Sequence, residues 1–219
     1  MRYERKFEVP LGHCNIISTF LLSQGFKEIF KEREVNSIYY DDYDFSNYQN
    51  SENGIKDRTK IRARYYDSGK DGFNLEYKLK NDNLNWKIFK TNNPNEIGTL
   101  LPLYIAGEET LFKEIKLPSS INTIFKPKVL VSYLRKYFLS RDQNLRITID
   151  FEIKFFSSKF TDKRIDIGIE RTHFKDVLEL KYQESIGLNS DFIDLLCQEF
   201  NFDLSRSSKY CYAINSIFN

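Results

Sequence analysis

Apolar and polar positions alternate along much of the chain, and the alternation predicts strands. Arg2, Glu4, Lys6 and Glu8 interleave with Tyr3, Arg5, Phe7 and Val9, so a strand over 2–9 carries each set on its own face. Pro10-Leu11-Gly12 ends it. Ile16, Ile17, Phe20 and Leu21 recur at helical spacing, which predicts a helix over 11–23 that stops near Gly25. Val35–Tyr40 reads as a second strand, and Asp41–Asp57 as loop with a short helical turn. Arg58–Tyr66 and Phe73–Lys80 alternate on either side of Asp67-Ser68-Gly69-Lys70-Asp71-Gly72, a hairpin signal. Residues 81–130 are less patterned: Asn92–Asn95 reads as a turn, Leu100–Lys116 as helical pieces and Leu117–Ser120 as the start of a short helix. Strands resume over Val129–Phe138, Asn144–Phe156, Lys163–Ile169 and Val177–Tyr182, with Ser157–Asp162 turning the chain. Asn189 or Ser190 caps a helix with Phe192, Ile193, Leu196, Cys197 and Phe200 on its apolar side, and a short helix follows Ser208-Lys209-Tyr210. Roughly eight strands result, and the predicted class is mainly β (α+β).

Composition narrows this. A chain of 219 residues, 41% hydrophobic and 29% charged, is expected to form one globular domain over 1–219. Nineteen Phe and 14 Tyr favour a pleated, half-buried surface. With 33 Lys plus Arg against 31 Asp plus Glu, the formal charge of +2 argues against bulk coating of nucleic acid and leaves room for a local basic patch. Cys14, Cys197 and Cys211 lack the spacing of a disulfide framework or a zinc site, so a reduced compartment is expected. The N-terminus is charged at once and no run of about 18 apolar residues occurs, so the expectation is a cytoplasmic protein without a transmembrane segment.

The charged strand faces carry the candidate chemistry. Arg58, Lys60, Arg62 and Arg64 share one face, and Glu76, Lys78 and Lys80 can lie across from them. Like charges side by side cost free energy unless something pairs with them, and a polyanion would do so. Glu4, Glu76, Asp150 and Glu179 sit beside basic residues on inferred faces. Such carboxylates either hold Mg²⁺ or Mn²⁺ in a phosphate site or form cross-strand salt bridges, and periodicity leaves both open. His13 and His173 make no cluster, and there is no glycine-rich phosphate loop.

In order along the chain, Tyr3-Glu4-Arg5-Lys6-Phe7, Ser37-Ile38-Tyr39-Tyr40-Asp41, Lys60-Ile61-Arg62-Ala63-Arg64-Tyr65, Leu75-Glu76-Tyr77-Lys78, Val131-Ser132-Tyr133-Leu134-Arg135, Arg146-Ile147-Thr148-Ile149-Asp150, Leu178-Glu179-Leu180-Lys181-Tyr182 and Ser208-Lys209-Tyr210 form a pattern that resembles the VTC domain. That domain is the polyphosphate polymerase branch of the triphosphate tunnel metalloenzyme (CYTH-like) superfamily. The resemblance implies a closed or nearly closed antiparallel barrel of eight strands with peripheral helices, whose lumen is a triphosphate tunnel. It implies an ATP-dependent transferase in which the gamma phosphoryl group of ATP passes to a growing polyphosphate and ADP leaves. Lys6, Arg62, Arg64, Lys78, Arg135, Arg146, Lys181 and Lys209 would form the catalytic, phosphate-binding wall, with Arg62, Arg64, Lys78, Arg135, Arg146 and Lys209 also binding nucleotide. Glu179 would be the principal ligand of Mn²⁺ or Mg²⁺, helped by Asp150, Glu4 and Glu76.

One departure bears on the branch. Where the wider superfamily opens with Glu-x-Glu-x-Lys, this chain has Arg2-x-Glu4-x-Lys6, which resembles the polymerase branch and argues against a standard two-metal triphosphatase or adenylate cyclase. The expected partners are ATP and polyphosphate, not nucleic acid, and a separately encoded membrane partner stays compatible. Two alternatives stay open: hydrolysis of tripolyphosphate or nucleoside triphosphate, and a non-enzymatic polyphosphate- or nucleotide-binding module.

Overall fold

Alternation organises the chain, and the computed structural model describes residues 2–56, 58–81, 84–92, 125–161, 164–183, 190–200, 202–205 and 208–219. The strands are β1 (Arg2–Pro10), β2 (Lys27–Asp41), β3 (Arg58–Tyr66), β4 (Phe73–Asn81), β5 (Leu84–Asn92), β6 (Lys126–Leu139), β7 (Leu145–Thr161), β8 (Arg164–Thr172), β9 (Lys175–Gln183) and the two-residue β10 (Asp203–Leu204). The helices are α1 (Cys14–Ser23), α2 (Ser46–Glu52), α3 (Ser190–Phe200) and α4 (Lys209–Phe218). The strands run in the order β10-β1-β9-β7-β6-β2-β3-β4-β5, with β8 on β7. The pairings of β1 with β9 and β10, β2 with β3, β3 with β4, β4 with β5 and β7 with β9 are antiparallel.

The antiparallel sheet with peripheral helices is present, but the expected closed tunnel barrel is not. The strand order is open, ending at β10 and β5, and no pairing among the described residues joins those ends. Closure needs a continuous ladder between first and last strands. The edge strand β10 has only two residues, paired with Phe7 and Glu8 of β1.

Several boundaries also differ from the sequence reading. The second strand begins at Lys27 instead of Val35, the first helix at Cys14, and the strand expected to end at Phe156 continues to Thr161, through the predicted turn. β5 arises in the stretch that lacked pattern. The helical pieces expected over Leu100–Lys116 and Leu117–Ser120 lie outside the described residues. The stop at Gly25 is as expected and has a clear cause. Phe26 N–H donates to the Leu21 carbonyl and Gly25 N–H to that of Leu22, a Schellman closure that needs the left-handed backbone Gly25 adopts (φ 84°).

Two compact units emerge. The first comprises Met1–Glu34, Tyr133–Lys154 and Thr172–Ser208, the second Val35–Ser132, Phe155–Arg171 and Lys209–Asn219. In the first, Phe7, Val9, Ile147, Ile149, Leu178 and Leu180 form the apolar sheet face. It packs against Cys14, Ile17 and Leu21 of α1 and Ile193 and Leu196 of α3. Covering that face from water leaves the alternate residues of β1, β7 and β9 on the opposite face. In the second unit, Ile38, Tyr40, Ile61, Ala63, Phe73, Leu75, Phe125 and Leu130 form the core, and period two again turns the charged residues of β3 and β4 away from it.

Candidate active site

Strand register assembles the first unit's polar face. Glu4 stands opposite Lys181, which stands opposite Arg146; Lys6 stands opposite Glu179, which stands opposite Thr148. Asp150 is fully buried on the same face of β7. The Arg135 guanidinium of β6 grips it bidentately, Nε donating to Oδ1 and Nη2 to Oδ2 (2.7 Å). Arg135 Nη2 also lies 3.9 Å from Glu179 Oε2. Lys181 pairs closely with Glu179 and reaches Glu4 at 3.7 Å, and Lys6 lies 3.2 Å from Glu4. Glu4, Lys6, Arg135, Asp150, Glu179 and Lys181 therefore form one charge network, with Arg146 opposite Lys181 in register.

Electrostatics hold this network ionised. Burial alone would push the Glu179 carboxyl up, but Lys181, Lys6 and Arg135 outweigh it and hold Glu179 well below the usual carboxylate range. Burial likewise works against the Arg135 charge, and Asp150, Tyr133 and Glu179 reverse the effect, so that Arg135 binds its proton more tightly than usual.

The second unit brings together the remaining candidates on β3 and β4. Arg62 pairs with Glu76 at 2.5 Å, and its Nη1 donates to Tyr39 Oη at 3.0 Å. Arg64 Nε donates to Ser37 Oγ at 3.1 Å. In the register, Lys60 stands opposite Lys78, and Arg58 opposite Lys80. Burial would push the Tyr39 phenol up, yet Arg62, Arg64 and Lys60 together pull it down to about 8.

Lys209 opens α4, and its neighbour Tyr210 ties that helix down. The Tyr210 hydroxyl donates to Asp41, whose buried carboxylate also accepts from the backbone N–H groups of Asp42 (2.9 Å), Asn47 (3.0 Å) and Tyr48 (3.0 Å). The Tyr210 ring stacks on Tyr39 at 5.1 Å. The chain that places Lys209 thus runs through Tyr210 and Tyr39 to Arg62. Sequence reasoning gives roles to the basic residues, whereas Ser37, Asp41, Thr148 and Tyr210 stand in its motifs without one. Hydroxyl side chains leave no trace in a charge pattern, and Asp41 stands alone at the end of β2.

The expected metal cage is not formed. Among the described residues no group of three or more His, Cys, Asp or Glu side chains is arranged to hold an ion. Glu76 pairs with Arg62, while Asp150 gives both oxygens to Arg135. Glu4 pairs with Lys6 and Lys181, and Glu179, itself paired with Lys181, is held ionised. Such a donor suits a hard divalent ion that keeps phosphate and water oxygens as most of its shell, and not an all-protein site.

Comparison with known proteins adds the family and the fold. The model of one family, the VTC domain, matches residues 1–218. A search by sequence among curated proteins finds no match. Among solved structures, an adenylyl cyclase candidate from Hippeastrum, described as revealing a dominant triphosphatase activity, is 12% identical. The match covers 99% of this chain and 96% of that one with a TM-score of 0.59. An adenylate cyclase candidate from Bacillus halodurans is 14% identical over 100% of this chain and 98% of that one, with a TM-score of 0.53. One from Vibrio parahaemolyticus is 11% identical over 98% and 97%, with a TM-score of 0.51. At these identities the likeness is one of fold.

Proposed function

We propose that this chain, which belongs to the VTC domain family, breaks the terminal phosphoanhydride bond of a bound triphosphate. Membership makes it a triphosphate-handling or phosphoryl-transfer enzyme of the CYTH-like, triphosphate tunnel superfamily. One observation carries the proposal: Arg58, Lys60, Arg62 and Arg64 share a strand face, with Lys78 and Lys80 opposite two of them in register. Guanidinium forks and ammonium groups aligned on one face match the oxygens of a polyphosphate. Taken unit by unit, Lys6, Arg135, Arg146 and Lys181 are proposed as phosphate contacts of the first unit's polar face, and Lys209 of the second unit. Phosphoryl transfer asks the protein mainly for fixed positive charge, because negative charge spreads over the phosphoryl oxygens as the bond to the bridging oxygen breaks. Mg²⁺ or Mn²⁺ arriving with the phosphates would be held by Glu179 and would neutralise part of that charge.

Water is the acceptor on the leading reading, giving orthophosphate and the shortened phosphate or nucleoside diphosphate. The triphosphatase activity ascribed to the Hippeastrum protein of like fold supports it. The second reading is ATP-dependent polyphosphate polymerisation, supported by the family itself and by Arg2 at the first carboxylate position. Glu179 is held ionised by its cations and is a weak base. An ionised phosphate-chain end needs no base, whereas water benefits from one.

The test is incubation of the purified protein with ATP and Mn²⁺, with and without a short polyphosphate primer, following ADP, orthophosphate and polymer together. Orthophosphate matching ADP supports hydrolysis, and chain growth matching ADP supports the polymerase. Absence of turnover with tight triphosphate binding would overturn both and leave a binding module. Arg64→Ala and Lys78→Ala should each weaken triphosphate binding about tenfold or more.

A further inference from the structure

On the polar face of the first unit, Thr148 lies outside the charge network. Thr148 is 4% exposed, and among the described residues its hydroxyl makes no hydrogen bond. Its backbone neighbours Ile147 and Ile149 point into the apolar core, so Thr148 points to the charged face, between Arg146 and Asp150 on its own strand and opposite Glu179 on β9. Glu179 is instead engaged by Lys181 and Arg135.

A buried hydroxyl without a partner is unfavourable, and valine has nearly the same shape without that penalty. A threonine here makes physical sense if something absent from the free protein accepts its proton. The row Lys6–Glu179–Thr148, with Arg146, Lys181 and Arg135 around it, places that hydroxyl among cations, where the fitting acceptor is an anionic oxygen.

We propose that Thr148 Oγ donates a hydrogen bond to a non-bridging phosphoryl oxygen of the bound triphosphate and is a substrate-positioning residue of this face. The inference rests on the triphosphate reading above. A neutral donor adds direction that mobile lysine charges lack, because its single O–H fixes the rotation of the phosphoryl group it touches.

The test compares wild type, Thr148→Val and Thr148→Ser by calorimetric titration with inorganic tripolyphosphate and by thermal unfolding of the ligand-free protein. Thr148→Val should bind tripolyphosphate about tenfold more weakly, since a hydrogen bond to a charged group is lost. It should also raise the ligand-free Tm by a few degrees, because the unsatisfied hydroxyl is gone. Thr148→Ser should restore binding to within a fewfold of wild type. A purely structural role would lower Tm in the valine variant, and that result overturns the inference. So does a valine variant that binds as tightly as wild type, which leaves the triphosphate reading standing. Failure of the wild type itself to bind tripolyphosphate overturns that reading and the inference with it.

Discussion

Cutting the Arg135–Asp150 pair on one side should destabilise the protein far more than replacing both partners. Asp150 has no exposed surface, and both its carboxylate oxygens accept from one guanidinium. Arg135→Met removes the guanidinium that both carboxylate oxygens face, and Asp150→Leu leaves Arg135 with Glu179 at 3.9 Å and the rings of Tyr133 and Tyr137. Losing one partner of a buried pair costs about 3–5 kcal/mol, whereas an apolar replacement of both is often close to neutral. At roughly 2–4 °C per kcal/mol for a chain of this size, each single variant should lose roughly 6–20 °C in Tm. The double variant should lose much less than the sum, with a coupling of about 2 kcal/mol or more. Urea unfolding of wild type, both singles and the double variant reads this directly. Additive losses, or single variants within about 1 kcal/mol of wild type, would refute the claim that the pair is a buried, mutually dependent unit.

Three further predictions concern titration. Glu179 titrates below its ordinary range in the folded protein, so its stabilising contribution is complete above its unfolded value and is lost as pH falls through the depressed one. Glu179→Gln should thus cost about 2–3 kcal/mol near neutrality, and the gap should close on acidification; a gap independent of pH in urea melts would contradict this. Asp176 behaves oppositely. Burial raises it to about 6 against the backbone N–H of Gly12 and the charge of His13, so stability is greatest below its unfolded value and falls as pH rises through about 6. Asp176→Asn should be more stable than wild type by about 1–3 kcal/mol at mildly alkaline pH, with no difference in acid, and equal slopes of stability against pH would exclude it. Tyr39 should ionise near 8, visible as an ultraviolet absorbance step that disappears in Tyr39→Phe; persistence of the step would assign it elsewhere.

Much of this architecture is legible in the alternation of the chain. Ile147 and Ile149 must share a face, so Arg146, Thr148 and Asp150 must share the other, and the same holds for Glu179 and Lys181 against Leu178 and Leu180. Period two cannot supply register, however, and it is register that sets Glu179 opposite Lys6 on one side and Thr148 on the other. Residues Lys27–Glu34 escaped detection because most are exposed and charged, so pairing and not burial makes them a strand. Ser157–Thr161 has the composition of a turn but remains in β7. Closure follows from the family resemblance alone, and resemblance does not determine whether the end strands meet. The carboxylates were legible as phosphate-site or salt-bridge residues, and only their geometry shows Asp150 committed to Arg135.

The most direct test of the central claim is phosphorus NMR of inorganic tripolyphosphate and of ATP mixed with the protein and Mg²⁺. It should be repeated with Arg64→Ala at matched concentration. The account predicts loss of the terminal phosphoryl resonance of at least one substrate, with orthophosphate or a longer phosphate chain growing in proportion, and a much slower course in the variant. Unchanged spectra with wild-type protein over many turnover times of an ordinary phosphotransferase, or an equal course in the variant, would contradict it.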